Sequence, residues 1–254
     1  HAYYTMPIVC GRSLAEVLGD GLALDARLRL LRRVLEACEA VAYAHRQGTI
    51  HCDLKPANIM LGEGGGTRVL DWGLARLRGE ELSELVGTPQ YMSPEQASGA
   101  PADTRTDVWS LGAILYELCA GRPLRSPGSA SEVLARARAE ASGGRPEGLP
   151  MAVRSQATLD LDGDIAPELV AIIARSLAPR PEDRYGDANA LADDLGNFLD
   201  GRRVWAHAYR SRELLARLVR AWRVPLIAAG VGLAVVATLV AVGMVELTRE
   251  RDQA

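Results

Sequence analysis

Residues 51–58 read His-Cys-Asp-Leu-Lys-Pro-Ala-Asn, and Asp71-Trp72-Gly73 answers them a short way downstream. The first stretch puts a carboxylate, an amine and an amide in one turn, and the second adds another carboxylate. A fold that contains both must bring them to one place. Phosphoryl transfer from a magnesium nucleotide uses such a set: a carboxylate to orient the attacking hydroxyl, a cation near the transferred group, and an amide and a carboxylate for the metal.

Further motifs follow in order. Residues 87–95 read Gly-Thr-Pro-Gln-Tyr-Met-Ser-Pro-Glu, residues 107–112 read Asp-Val-Trp-Ser-Leu-Gly, and residues 181–185 read Pro-Glu-Asp-Arg-Tyr. Together these resemble the eukaryotic-type protein kinases, whose usual forms are H-R-D-L-x-x-x-N and D-F-G. Ser93-Pro94-Glu95 stands where the family usually has Ala-Pro-Glu. Lys55, two residues after Asp53, resembles the Ser/Thr-specific branch. The resemblance covers roughly residues 1–200. It implies a mainly α fold: a kinase C-lobe, helical with short β hairpins, over residues 12–200. Residues 1–11 would be the end of the N-lobe and the hinge. The Gly-rich loop, strand Lys and helix Glu of an N-lobe do not occur in the sequence, so a fragment is expected, one that by itself binds nucleotide poorly and does not turn over.

Composition restricts less. The chain has 254 residues, with 48% apolar, 24% charged and a net charge of −3, which gives no argument for nucleic acid as a partner. Cys10, Cys38, Cys52 and Cys119 are scattered, with no C-x-x-C pair. They read as reduced thiols of a cytosolic domain rather than a disulfide framework or a zinc site.

Periodicity and turn signals predict the elements. Residues 2–11 read as a strand running into a linker. Ser13 caps a short helix with Glu16 completing a capping box. A single long helix is expected over residues 25–47, with Leu28, Leu31, Leu35, Cys38 and Ala42 on its apolar face and Gly48 ending it. Residues 59–61 and 68–70 read as a hairpin around a Gly-rich turn, which is no phosphate loop because it lacks the Lys-Ser/Thr and a following helix. Thr104 is expected to cap a helix that Gly121 stops. Helices are also expected over residues 129–141, 167–177 and 187–199, and a surface loop over residues 142–161.

The character changes after residue 200. Residues 206–222 read as an amphipathic helix carrying Leu214, Leu215, Leu218, Val219 and Trp222 on one face. Residues 224–245 then run without a charge, long enough to span a hydrocarbon core of roughly 30 Å. Seven arginines (Arg202, Arg203, Arg210, Arg212, Arg217, Arg220, Arg223) precede this run, whereas acidic residues dilute Arg249 and Arg251 after it. A single-pass membrane protein is expected, with the basic juxtamembrane residues 201–223 and the kinase-like domain in the cytoplasm, and residues 246–254 opening an extracytoplasmic region. The basic segment reads as a solvated linker, or alternatively as a helix lying on anionic lipid. Gly230 and Ala234 form a small-xxx-small pair, which leaves homodimerisation open.

The resemblance also implies residue roles. Asp53 would orient the substrate hydroxyl, Lys55 would stabilise charge on the phosphoryl group, and Thr88 would bond toward both and favour Ser/Thr acceptors. Asn58 and Asp71 would hold Mg2+. Met6, Val9, Ser13 and Met60 would contact ATP, with Met6 as gatekeeper and Val9 meeting the adenine through its backbone. His51 and Asp107 would brace the loop, and Glu95 and Arg184 would form a buried ion pair. Cys52 replaces the Arg that often receives an activation-loop phosphate, so activity should depend little on phosphorylation there, Ser83 being the candidate site. Trp72 replaces the usual Phe, and its indole N–H wants a partner. The implied activity is transfer of the ATP γ-phosphoryl group to protein Ser/Thr hydroxyls in membrane-anchored signalling. The alternative is a pseudokinase serving as a membrane-tethered scaffold, which Cys52 and Trp72 favour weakly. A small-molecule kinase is disfavoured by the peptide-binding pattern of residues 88–95.

Overall fold

The computed structural model describes residues 9–78, 87–141 and 165–209, with Gly232, Val236 and Thr238 beyond them. The chain divides into two compact units, His1–His207 and Ala208–Ala254. In the first, among the described residues, eight helices surround two small antiparallel sheets.

β1 (Gly11–Ser13) leads directly into α1 (Leu14–Gly19). The Ser13 hydroxyl accepts from the Glu16 amide at 3.2 Å while the Ser13 amide donates to the Glu16 carboxylate at 2.7 Å, the expected capping box. The strand expected over residues 2–11 lies mostly outside the described residues; regular pairing begins at Gly11, where the linker was expected.

The single helix expected over residues 25–47 is two. α2 (Leu24–Leu28) stops at Arg29, and α3 (Leu31–Arg46) begins two residues later. At the junction the Leu30 amide turns to the Arg27 carbonyl at 2.9 Å, a three-residue bond that tightens the turn. The break lets Arg27 bury its side chain against the end of the central helix; a Cβ on Gly121 would lie 2.1 Å from its Nη1. The buried face of α3 is Leu31, Val34, Ala37, Cys38, Val41, Ala42 and His45, so Leu31, Cys38 and Ala42 lie where expected, while Leu28 and Leu35 are only half-buried. Gly48, at φ 77°, ends the helix as expected.

After β2 (Thr49–Ile50), β3 (Ile59–Gly62) and β4 (Thr67–Val69) form the expected hairpin, with β1 on the other edge of β3. β5 (Arg76–Leu77) pairs with β2. α4 (Pro94–Ala97) is a single turn capped by Ser93.

α5 (Thr104–Ala120) is the axis of the unit. From Thr106 to Ala120 every residue but Glu117 is buried, as expected of a helix apolar on all sides. Its cap is Asp103, which accepts from the Arg105 amide at 2.7 Å, and not Thr104, whose hydroxyl donates to the Gly186 carbonyl. Gly112 marks where α7 crosses: a Cβ there would lie 2.5 Å from Ser176 Cβ. α6 (Ala130–Ala141), α7 (Pro167–Ser176) and α8 (Ala188–Leu199) complete the shell.

The amphipathic helix expected from residue 206 has not begun by Tyr209, and its remainder lies outside the described residues. So do Met6, Ser83, the loop at 142–161 and the apolar run at 224–245, apart from the helical positions Gly232, Val236 and Thr238. No helix of the described residues is long and apolar enough to cross a membrane.

Candidate active site

The turn at residues 51–58 is shaped by a residue more than fifty positions away. Asp107, wholly buried on α5, accepts the His51 amide at 2.8 Å and the Cys52 amide at 3.0 Å. His45 on α3 adds Nε2 at 2.9 Å from the same carboxylate, and its Nδ1 accepts the Ala188 amide, so Nε2 carries the proton. These bonds hold Cys52 at φ 64°, the left-handed region that a non-glycine residue enters only under constraint.

The His51 ring joins the turn to the second motif. Its Nδ1 accepts the Asp53 amide at 3.3 Å, so Nε2 donates to the Leu70 carbonyl at 3.0 Å. The ring packs on Trp72 with centroids 4.5 Å apart. Trp72 finds the partner its indole N–H requires in the Val69 carbonyl at 3.1 Å. Asp71, also left-handed at φ 58°, presents an exposed carboxylate with no protein partner among the described residues.

Three expected residues close a triangle. Lys55 Nζ donates to Asp53 Oδ2 at 2.7 Å and to Thr88 Oγ1 at 2.9 Å, and Thr88 Oγ1 donates to Asp53 Oδ1 at 2.8 Å. Asp53 is buried within it. Asn58 donates Nδ2 to the Asp53 carbonyl at 2.9 Å, which turns its Oδ1 away from the turn. An amide oxygen so freed and the unpartnered Asp71 carboxylate are the hard oxygen donors that Mg2+ prefers, so the residues fit that ion.

On the nucleotide side, Ser13 and Met60 are direct cross-strand partners through β1 and β3. The Ser13 hydroxyl is engaged by Glu16, and Val9 lies half-buried just before β1. Met6 lies outside the described residues.

Several contacts at the site carried no sequence signal, although Gly87 heads the motif at residues 87–95. Gln96 donates Nε2 to the Cys52 carbonyl at 2.7 Å and so joins α4 to the turn. Gly87, at φ 119°, lets the chain pass so closely that a Cβ would lie 3.0 Å from both the Cys52 carbonyl and Gln96 Nε2. The expected ion pair is present: Arg184 reaches Glu95 through Nη1 at 2.7 Å and Nη2 at 2.9 Å. A second buried pair, Arg125 with Glu140, was not foreseen. Polar residues far apart in sequence leave no periodicity to read. The Cys52 thiol is pushed up to about 12 by burial, with Asp107 adding to it, so it is an inert neutral group in this setting.

Residues 1–195 match the family described as protein kinase domain. The chain is 36% identical over 212 residues to a probable serine/threonine-protein kinase of Streptomyces coelicolor, covering 81% of this chain and 29% of that protein. It is 35% identical over 216 residues to the probable serine/threonine-protein kinase PknB of Corynebacterium glutamicum, covering 82% and 31%. For the serine/threonine-protein kinase PknB of Mycolicibacterium smegmatis the identity is 33% over 225 residues, covering 84% and 34%. The chain thus spans about a third of the length of these curated relatives. From a family match over most of its length, and a turn in which Asp53, Lys55 and Thr88 meet, it follows that this chain belongs to the protein kinase domain family.

Proposed function

We propose that the chain is the C-lobe of a serine/threonine protein kinase that transfers the γ-phosphoryl group of ATP to a Ser or Thr hydroxyl of a protein. The observation that carries this reading is the triangle of Asp53, Lys55 and Thr88. Asp53 orients the acceptor hydroxyl and takes its proton, and Lys55 offsets charge on the transferred group. Thr88 holds both in place and sits on the acceptor side, which suits a Ser or Thr hydroxyl. Asn58 and Asp71 would hold magnesium, whose chemistry there would be to offset charge on the phosphates. The family resemblance assigns Met60, Val9 and Met6 to the nucleotide base, and Ser13 fixes the start of α1 across from Met60. The names of the curated relatives support the same activity.

The scaffold alternative rested on Cys52 and Trp72. Both are accommodated without loss of the site: Asp107 still holds the Cys52 backbone, and Trp72 has its hydrogen bond and packs on His51.

The uncharged run at residues 224–245 and the arginines before it support a single-pass protein of the cell membrane with the kinase domain in the cytoplasm. On this reading the protein acts in membrane-anchored signalling.

The test is transfer from radiolabelled ATP by the complete cytoplasmic region, N-lobe included, beside an Asp53→Asn variant. Magnesium-dependent labelling is expected, with kcat lower in the variant by about 10²–10⁴-fold. Unchanged labelling in the variant, or nucleotide binding without any transfer, would overturn the reading.

A further inference from the structure

Arg125 is wholly buried, and its guanidinium is divided between two tasks. Nε and Nη2 hold the Glu140 carboxylate on α6 at 3.1 and 2.6 Å. Nη1 donates to three backbone carbonyls of one loop: Pro89 at 2.8 Å, Gln90 at 3.2 Å and Met92 at 2.8 Å. That loop starts at Thr88, whose hydroxyl closes the triangle with Asp53 and Lys55. Three carbonyls converging on the Nη1 amino group fix the path of the chain between Thr88 and Ser93, while the planar guanidinium holds Glu140 with its other two nitrogens.

Around this point the structure is doubly braced. Trp109 on α5 has both buried guanidiniums within cation–π reach, Arg184 at 4.8 Å and Arg125 at 5.6 Å from the ring centroid. Arg184 secures Glu95, at the end of the same segment. The Arg138 Nε on α6 donates to the Ala97 carbonyl at 2.8 Å. The segment from Pro89 to Ala97 is therefore held from beneath by Arg125 and Arg138, and by Arg184 through Glu95, with Pro89 and Gln90 half-buried beside Thr88.

We propose that Arg125, held by Glu140, is a positioning residue for the protein acceptor: it sets the backbone of residues 89–92 as the surface that receives the chain around the phosphorylated Ser or Thr. This rests on the reading of the chain as a protein kinase. The pair acts on acceptor binding through the loop.

The experiment compares steady-state kinetics of the complete kinase with those of Arg125→Lys and of the double variant Arg125→Met/Glu140→Met, using myelin basic protein as acceptor. Arg125→Lys keeps the charge and loses the planar fork. The double variant strands no buried charge, which a single truncation would. In both, KM for the acceptor is expected to rise about tenfold, the equivalent of one lost charge-assisted bond, while KM for ATP stays as in the wild type. Thermal unfolding of the double variant is expected to remain cooperative, which separates loop positioning from loss of fold. An acceptor KM unchanged in the folded double variant would overturn the proposal. So would equal rises in both KM values. If the wild type transfers phosphate and only this pattern fails, the positioning role alone is wrong; if the wild type transfers nothing, the kinase reading falls and takes this one with it.

Discussion

Tyr91 donates its hydroxyl to Glu117 Oε2 at 2.7 Å, tying the loop that follows Thr88 to the one half-buried position in the middle of α5. Burial raises the Glu117 carboxyl above the ordinary glutamate range, and the Tyr91 bond opposes this only in part. The folded protein therefore binds that proton more tightly than the unfolded chain. The associated stability is fully present below the unfolded value and is lost as pH rises through the folded one. Glu117→Gln keeps an acceptor for Tyr91 and removes the titration. Urea unfolding of the two proteins across pH 4 to pH 8 should show the variant gaining on the wild type as pH rises; a constant difference would show that Glu117 does not titrate in that range.

Glu95 and Arg184 form a two-pronged pair in which the Arg side chain is wholly buried and the Glu side chain is 14% exposed. Arg184→Met leaves the carboxylate without its cation and should destabilise the domain by about 3–5 kcal/mol in chemical denaturation. Arg184 also donates to the Ala178, Pro179 and Arg105 carbonyls, so Arg184→Lys should recover only part of that loss.

Gly87 combines φ 119° with a neighbour 3.0 Å from where a Cβ would stand. Gly87→Ala must strain the backbone or push the Cys52 carbonyl away, at a cost on the order of 1–3 kcal/mol. Because the next residue is Thr88, the variant's kcat should fall by more than its loss of stability explains. Measured activity at temperatures well below unfolding tests this.

The thiols of Cys38, Cys52 and Cys119 are buried and each is pushed up to about 12 by desolvation, whereas Cys10 is exposed. Alkylation of the folded protein at pH 8 followed by mass spectrometry should find Cys10 modified and the other three protected until denaturant is added. Rapid labelling of Cys52 in the native protein would mean that the turn at residues 51–58 opens.

What the sequence determined by itself was local chemistry and its spacing. The capping box of Ser13 and Glu16, the turn at Gly48, the hairpin around residues 62–66 and the short reach from Asp53 to Lys55 all depend on neighbours within a few positions, and these were legible. The tertiary structure decided what joins those pieces. Thr88 meets Lys55 only because Gly87 and Gln96 dock on the Cys52 carbonyl. Cys52 is left-handed because Asp107, one turn into α5, takes its amide. The long helix breaks at Arg29 although its periodicity continues, and Arg27 is buried beside Gly121 just before the break. Arg125 and Glu140 belong to no sequence motif, yet they are buried beneath residues 89–92. Hydrophobic spacing reports which face of an element is buried. It carries no record of which distant polar group completes a hydrogen bond there, and in this protein that completion shapes the candidate active site.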